Sequence, residues 1–530
     1  MTRRSTRIAK TDLAALLKVS GPCLSTELIE RLRKAGLSHD AARQRVSRGL
    51  TDSDDVKRLA GLRFQHNARF LYLTDQFGTD GYWRALERAF QRAGQSYWRT
   101  LVGLRARGGR VPLSLFAIAC GAPANRKGQL SPARLLERLK AIQFLSLETD
   151  ADGVEYVAFN PRRFGRDPVG LINARLLAEQ VALEGVREWV RRLNLGSFNQ
   201  VRIRTDAPPP EVSSIAWDLS APSFARPLAT RTANGVRNGF FVADVILRGA
   251  VEADAVEAFL GKHETASAPP KIPPIMPMLV ANSFTHDALS LARGRGLVVG
   301  TIGHLLGDDI ARALSDLVGM LTDFGATVAA DPSHLDRVMS TLTKIKGAAP
   351  NLRASLFELA IGYLVREVEG GYFRAGVQVV DPLVGDTAEV DVILDRPNGD
   401  PVLVIECKAK EAGSRVSVAD VTRWRSNRIP LIQNALERDN RFSGRGLDFQ
   451  LWTNGEIHPA ALAWLEAHPR LEGPHSVSWK DGRAVKSYVR AGGVGVISKI
   501  LDEHYFADPL TRARARARRP PPGDAAAQAE

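Results

Sequence analysis

The sequence has few cysteines, no long apolar run and no excess of acidic residues. Its three cysteines are far apart, and none stands at a metal-ligand spacing from another cysteine or a histidine. Disulfides and a structural zinc are therefore not expected. No run approaches the roughly eighteen apolar residues of a membrane span, and no signal-peptide core follows the basic N-terminus. We expect a cytoplasmic protein without a membrane partner.

The chain is rich in positively charged residues. The formal net charge is +14, and residues 1–110 hold 22 Lys and Arg against 10 Asp and Glu. Charge concentrated in this way suits a polyanion such as nucleic acid, although it does not specify a fold. With 530 residues, of which 44% are hydrophobic and 25% charged, the chain is expected to form several globular domains.

The stretch from Ala388 to Lys410 predicts a β-hairpin. Two apolar, β-branched runs, residues 390–394 and 402–405, flank the dipeptide Asn398-Gly399. Such a dipeptide between apolar runs is a strong signal for a two-residue turn. The two runs are therefore predicted to pair as antiparallel strands.

The predicted register gathers four charged side chains on one face of this hairpin. With the dipeptide as the turn, Asp391 lies opposite Glu406, and Glu389 lies opposite Lys408. Opposed residues share a sheet face, as do alternate residues of one strand. Because buried carboxylates repel one another and shift one another's pKa, we expect a divalent cation to bind among them.

The same residues carry a family resemblance. Asp391, followed by Glu406-x-Lys408 at the end of an apolar strand, resembles the PD-(D/E)XK signature of restriction-endonuclease-like nucleases. The preceding helical pattern carries Glu358 where many of these families have a further acidic residue. The resemblance covers residues 353–485 and implies phosphodiester hydrolysis. A merely charged sheet edge is the alternative.

Mg2+ or Mn2+ is the cofactor that the resemblance implies, because oxygen ligands suit these ions. The predicted metal ligands are Asp391, Glu406, Cys407, Glu358 and Glu389. The predicted catalytic residues are Asp391, Glu406, Lys408 and Glu358. Two carboxylates would bridge the metal, Cys407 would contribute its backbone carbonyl by resemblance, and Lys408 would orient the attacking water. The Cys407 thiol is expected to face away and to pack as a small hydrophobe.

Residues 1–81 have the element order of a winged helix. Three helical patterns, at residues 12–18, 25–34 and 38–48, precede two strand patterns within residues 57–73. Ser25 and the residue at 38 are expected to cap the second and third helices.

The third of these helices is the candidate recognition helix. Ala42 and Val46 are spaced to pack inward, which leaves polar and basic residues on the outer face. The residues predicted to contact DNA there are Arg43, Gln44, Ser47 and Arg48. The alternative is a solvated helix face in a domain that contacts only protein.

Residues 82–165 predict a linking helix, at 82–103, followed by a second winged helix. The aromatic residues of the linking helix are expected to lie in the core. The helical pattern at 131–142 offers Arg134, Arg138 and Lys140 to a polyanion, although its leucines fit a packing role equally well.

Residues 170–306 alternate between helix and strand patterns and resemble a second restriction-endonuclease-like domain. The Glu-x-Lys triplet is missing, and no lysine occurs between Lys140 and Lys262. Asp218 and Asp244 remain. We expect a degenerate domain without catalysis, and an unrelated α/β domain is the alternative.

The rest of the chain divides into three parts. Residues 307–350 are predicted to form a helical spacer, residues 351–508 the nuclease domain and residues 509–530 a disordered basic tail. Within the nuclease domain, a helix at 418–437 places Arg423, Arg425 and Arg428 where they would hold DNA phosphates or form a plain helix surface.

These expectations combine into one functional prediction. The fold class is multidomain α/β plus α+β, with winged helices ahead of a degenerate and then a PD-(D/E)XK nuclease domain. The predicted function is metal-dependent hydrolysis of double-stranded DNA, in restriction or defence against foreign DNA. Rival functions are a DNA-binding regulator or scaffold, and a metal-dependent RNase. A homodimer would suit double-strand cutting with one site per chain.

Overall fold

The computed structural model shows a mixed α/β chain with several small sheets. It describes residues 13–50, 53–62, 64–150, 154–161, 164–226, 228–232, 235–322, 332–342, 344–345, 348–381, 387–410, 414–469, 471 and 473–506. The predicted tail at 509–530 lies outside them. Among the described residues, no helix combines the length and apolar character needed to cross a membrane.

The elements are numbered here in chain order. The helices are α1 (Leu13–Ser20), α2 (Ser25–Lys34), α3 (His39–Gly49), α4 (Asp80–Ala93), α5 (Gln95–Ala106), α6 (Phe116–Cys120), α7 (Pro132–Ala141), α8 (Val169–Arg192), α9 (Ala253–Ser267), α10 (His286–Gly294), α11 (Ile302–Leu306), α12 (Asp308–Thr322), α13 (Pro332–Leu342), α14 (Ala348–Glu369), α15 (Val418–Thr422), α16 (Ile429–Glu437), α17 (Pro459–Ala467), α18 (Gly482–Gly492) and α19 (Gly495–Leu501). Residues Arg423–Arg428 and Asp502–Phe506 form π-helical turns.

The strands follow the same convention. They are β1 (Cys23–Leu24), β2 (Val56–Arg58), β3 (Phe70–Leu73), β4 (Arg110–Pro112), β5 (Leu145–Thr149), β6 (Glu155–Phe159), β7 (Arg202–Ile203), β8 (Glu211–Val212), β9 (Ile215–Ala216), β10 (Leu219–Ser223), β11 (Thr230–Thr232), β12 (Gly235–Arg237), β13 (Gly239–Val251), β14 (Ile275–Phe284), β15 (Val298–Thr301), β16 (Tyr372–Val380), β17 (Thr387–Asp395), β18 (Val402–Lys408), β19 (Arg415–Val416), β20 (Leu447–Thr453), β21 (Glu456–Ile457) and β22 (Ser476–Lys480).

Two small units, each with helices and a three-stranded sheet, lie in the N-terminal part of the chain. Their sheets have the orders β1-β3-β2 and β4-β6-β5, with antiparallel pairing throughout. Ser38 caps α3 as expected, because its side chain accepts a hydrogen bond from the Ala41 N–H. Ser25 is not a cap. It lies inside α2, and its hydroxyl accepts a hydrogen bond from the Arg69 N–H.

The predicted linking helix is two helices, not one. The chain breaks at Gly94, which has φ −126° and ψ 47° and separates α4 from α5. The break folds α5 back onto α4, and Trp83, Phe90 and Tyr97 are buried in the core that these helices share with both small units. The expectation that these aromatic residues are core residues is confirmed.

Two five-stranded sheets, built alike, make up the rest of the fold. The first has the order β7-β10-β13-β14-β15 and the second β16-β17-β18-β20-β22. In each, the first two pairings are antiparallel and the last two are parallel. Each parallel pair is connected through helices, as parallel pairing requires. The long helices α8 and α14 precede the two sheets.

The residues predicted to be a spacer belong to a common core. Helix α12 packs on α8, and α13 packs on α14. Leu314 and Leu317 are buried, and both lie in one hydrophobic cluster with residues of the two five-stranded sheets. The described part of 307–350 therefore joins the two α/β layers by packing between them.

The hairpin of β17 and β18 has the predicted register with a longer turn. Val392 pairs with Ile405 and Leu394 with Leu403, which places Asp391 opposite Glu406. The connection spans residues 396–401 instead of two residues. Pro397 and Pro401 flank the Asn-Gly dipeptide, and neither can donate a ladder hydrogen bond, so pairing stops before the turn.

Candidate functional site

Asp391, Glu406 and Lys408 meet at the end of β18. The predicted pairing of Glu389 with Lys408 is not formed, because the β17–β18 ladder ends at Val392–Ile405 and Ala388 and Val390 pack into the same core as Val402 and Val404. Glu406 and Lys408 lie on one face, because Val402 and Val404 pack into one core while Leu403 and Cys407 pack into the other. Asp391 is 8% exposed and Glu406 is 3% exposed. The side chains are thus held together and largely out of water.

Asp391 is fixed by the backbone of the neighbouring strand. Its Oδ2 atom accepts a hydrogen bond from the Cys407 N–H at 2.7 Å. Burial raises the pKa of Asp391 to about 8, with the charge of Glu406 as the next cause, and Lys408 and Arg428 only partly oppose the shift. A carboxylate in this state is short of positive charge.

Glu406 forms ion pairs with two positively charged side chains of the site. Lys408 Nζ lies 2.6 Å from its Oε1 atom, and Arg428 Nη1 lies 2.6 Å from the same atom. The pKa of Lys408 is raised, because Glu406 and Asp391 outweigh the opposing effect of burial. Lys408 therefore stays an ammonium at neutral pH, which a role in charge stabilisation needs.

Glu358 and Glu389 add negative charge to the same place. Burial raises the pKa of Glu358 well above its usual value, and the charges of Asp391, Glu389 and Glu406 raise it further. Glu389 is half-buried on β17, and its backbone carbonyl accepts a hydrogen bond from Arg428 Nη2 at 2.6 Å. The predicted acidic residues are therefore electrostatically coupled, with more acids than bases among them.

Arg428, predicted as a phosphate contact or as part of a plain helix surface, is instead buried against Glu406. It is 6% exposed and lies at the end of the π-helical turn between α15 and α16. π-Turns often occur at functional sites. A signal was present in the sequence, because Trp424, Arg428, Ile432 and Leu436 recur every fourth residue and the three apolar members are buried.

The other residues predicted near this site have different surroundings. Arg423 is exposed, and Arg425 donates to the His468 backbone carbonyl at 3.3 Å, so neither contacts the carboxylates through a described hydrogen bond. Cys407 is buried, and burial together with Asp391 raises the pKa of its thiol well above the usual value. Its expected role as a packed hydrophobe is consistent with this burial.

The donor set fits a hard divalent cation by its chemistry. Carboxylate oxygens are what Mg2+ and Mn2+ prefer, and Mg2+ usually binds through one or two carboxylates and retains water. Burial, and then the charge of Glu406, raise the pKa of Asp391 to about 8, so a cation that replaces its proton would offset the cost of ionising it. Within the described part of the chain, however, no group of three or more His, Cys, Asp or Glu side chains is arranged to enclose an ion. The metal remains a prediction.

The first five-stranded sheet has carboxylates at the corresponding positions. Leu219 pairs with Ala243, so Asp218 and Asp244 are opposite each other just as Asp391 and Glu406 are. Asp218 Oδ2 accepts a hydrogen bond from the Val245 N–H at 3.0 Å, which repeats the bond to the residue after Glu406. The two sites thus share a backbone plan.

Positive side chains from outside the strands fill this first cluster. Lys262 Nζ of α9 lies 2.6 Å from Asp244 Oδ2, so the lysine that the sequence pattern lacks is supplied by a helix. Arg204 Nη1 lies 2.9 Å from Glu179 Oε2 and 3.1 Å from Asp218 Oδ1. These ion pairs are almost completely buried.

The remaining positive charge comes from the preceding small unit. Arg107, just after α5, places Nη2 3.1 Å from Asp218 Oδ2. Lys262 in turn donates to the Ile118 backbone carbonyl of α6 at 3.2 Å. Although burial alone would raise it, Arg204 and Arg107 lower the pKa of Asp218. This cluster is closed by side chains and already balanced.

The predicted DNA-contacting residues of α3 lie on the surface. Ala42 and Val46 are buried in the core of the first unit, as expected. The outer face is exposed at Arg43, Gln44, Ser47 and Arg48. On α7, Arg134 and Lys140 are exposed, whereas Arg138 Nη1 donates to the Tyr97 hydroxyl at 2.9 Å. The exposed arginines of α3 and α7 are placed where a polyanion could reach them.

In comparisons with known proteins, no protein-family model, curated protein or solved structure matches this chain.

Proposed function

We propose that this chain is a metal-dependent nuclease that hydrolyses DNA phosphodiester bonds. The observation that supports this most is the convergence of Asp391, Glu406 and Lys408 at one strand end, where buried acids outnumber bases. A cation there would neutralise the carboxylates, lower the pKa of a bound water and offset charge on the phosphate. The resemblance to PD-(D/E)XK nucleases implies products with 5′-phosphate and 3′-hydroxyl ends.

The chain's own residues have distinct roles in this proposal. Asp391 and Glu406 would hold the ion, with the Cys407 backbone carbonyl as an additional ligand. Lys408, on the same face, would orient the attacking water and stabilise the developing negative charge. Arg428 holds Glu406 in place through a buried ion pair.

The N-terminal units would bring the site to DNA. Each has the helices and the three-stranded sheet that a winged helix requires, and α3 presents exposed arginines. We propose that they bind double-stranded DNA, and that the first α/β layer is a degenerate nuclease domain. Restriction or defence against foreign DNA is the role that these parts suit best.

A cleavage assay tests the proposal. Purified protein is incubated with plasmid, linear duplex, single strands and RNA, with Mg2+, with Mn2+ or with EDTA. We expect metal-dependent cutting of duplex DNA that Lys408→Ala abolishes and Lys499→Ala leaves intact, since Lys499 is exposed and pairs only loosely with Asp336. Cutting of RNA alone would select the RNase function. DNA binding without cutting in any metal would select the scaffold.

A further inference from the structure

A cleft of about 610 Å3 lies where the two N-terminal units meet the first α/β layer. Its wall is formed by the connection before β3, the junction of α4 and α5, the start of α7 and one residue of α9. Its volume falls within the roughly 300–1,000 Å3 of small-ligand sites. The carboxylates of both sheet sites are elsewhere, so the cleft is a separate feature of the molecule.

The charged side chains that line the cleft in the described part of the chain are all positive. They are Arg99, Arg134 and Arg138, and Glu257 and Glu264 line an adjoining cavity that shares Arg99. Arg99 Nη1 is held 2.6 Å from Thr265 Oγ1, and Arg138 Nη1 is held 2.9 Å from the Tyr97 hydroxyl. Two guanidinium groups are thus oriented before any ligand arrives, which lowers the entropy cost of binding an anion.

Amide and aromatic side chains complete the wall. Gln65, Gln95 and Gln129 are exposed along it, and each amide offers both a donor and an acceptor. Phe64 and Tyr97 lie behind these amides and are only 7% and 1% exposed, so they close the floor of the cleft and do not offer a ring face. Arginine matches phosphate oxygens, and glutamine matches the edge of a base.

We propose that this cleft binds a nucleotide unit, with its phosphate at the arginines and the edge of its base at the exposed glutamines. Two sources have this chemistry: a free nucleoside phosphate, and a nucleotide of bound DNA. The second source rests on the proposed function, because it requires DNA to lie across the N-terminal units. In that case the cleft reads or anchors the DNA away from the cutting site.

Binding is measured on the full chain in EDTA, so that no cleavage interferes. Calorimetry measures the binding of nucleoside 5′-monophosphates and 5′-triphosphates, and fluorescence anisotropy measures the binding of a labelled DNA duplex. The test variant is Arg134→Glu, and Arg134→Ala is a milder second variant. The matched control is Arg293→Glu, because Arg293 is an exposed arginine outside the N-terminal units and does not line the cleft. Thermal unfolding checks that each variant folds.

We expect Arg134→Glu to weaken binding by about tenfold or more and Arg293→Glu to change it by less than about threefold. Binding of nucleoside phosphates supports a free ligand, and binding of duplex alone supports a nucleotide of DNA. Equal losses in Arg134→Glu and Arg293→Glu, or no binding of either ligand, overturn the proposal. Lys408→Ala separates the two proposals, because it should lose cutting and keep cleft binding.

Discussion

The two five-stranded sheets place carboxylates at equivalent positions and give them opposite electrostatic surroundings. In the first sheet, Asp218 and Asp244 are neutralised by arginines and a lysine that reach in from helices, loops and the preceding unit. In the second, four described carboxylates, those of Asp391, Glu406, Glu358 and Glu389, are grouped with Lys408 and Arg428. The strand pairing therefore determines where the carboxylates lie. Side chains from other elements determine how many positive charges surround them.

The pKa directions express this difference. The pKa of Asp218 is lowered because Arg204 and Arg107 outweigh burial, whereas burial and then Glu406 raise the pKa of Asp391 to about 8. The pKa of Asp244 in the first cluster is also raised by burial, with Lys262 opposing the shift. A balanced buried cluster loses stability when one member is removed. A cluster with excess negative charge gains stability when one carboxylate is neutralised, and it attracts a cation from solution.

Replacing one aspartate at a time should therefore affect cleavage at the second cluster and stability at the first. Asp391→Asn is expected to reduce the cleavage rate by more than about 100-fold while leaving metal-free stability unchanged or higher. Asp218→Asn is expected to destabilise by about 3–5 kcal/mol, with normal cleavage by the folded fraction. Urea unfolding and single-turnover cleavage measure both. Destabilisation of the same size in both variants would contradict the claim that the two sites differ in their electrostatic surroundings.

Removing Arg107 tests the link between the preceding unit and the first cluster. Arg107→Ala leaves Asp218 without one of its buried partners and is expected to cost about 3–5 kcal/mol of unfolding free energy. Arg248→Ala is the matched control. Its guanidinium bridges to Asp167, but it is 42% exposed, so about 1 kcal/mol or less is expected. Similar losses of unfolding free energy in the two variants would show that the buried ion pairs stabilise the protein no more than the exposed one.

Removing Arg428 tests how Glu406 is positioned. Arg428→Ala deletes the contacts to Glu406 Oε1 and to the Glu389 carbonyl, and we expect about 10–100-fold slower cleavage. Arg428→Lys should recover part of the rate because it restores the charge. Arg441→Ala is the control, since Arg441 is 60% exposed and pairs with Asp439 in the same domain. An unaltered rate in Arg428→Ala would exclude a positioning role.

A further expected effect is a slope of stability against pH. Asp391 has a folded pKa of about 8 against an ordinary value of 3.8, so the folded protein binds more protons between these values. Metal-free stability should therefore fall as pH rises from about 4 to about 8. Asp391→Asn should flatten that slope, and Mg2+ should stabilise the wild type more at pH 8 than at pH 6. A slope unchanged in the variant would contradict the assignment to Asp391.

The sequence predicted those features that depend on neighbouring residues. The Asn398-Gly399 signal gave the correct register, because both residues adopt the left-handed conformation expected of them, with φ of 60° and 77°. The turn length was wrong because two prolines end the ladder early. The capping serine of α3 and its buried alanine and valine were also local features, and the structure has them.

Features that depend on distant residues could not be predicted in this way. Lys262 and Arg107 reach Asp244 and Asp218 from helices far away in the chain, and no spacing in the sequence links them. The break at Gly94 was also missed, because its effect depends on the packing of α5 against α4. Arg428 is the exception, since its place among buried residues every fourth position was visible.

Calorimetric titration of the metal-free protein with Mn2+ at pH 8 tests the central claim most directly, because it asks whether the second cluster needs a cation. The account predicts that wild-type protein binds Mn2+ and releases protons on binding, and that Asp391→Asn loses this binding while remaining folded. No binding by the wild type, or equal binding by Asp391→Asn, would contradict it.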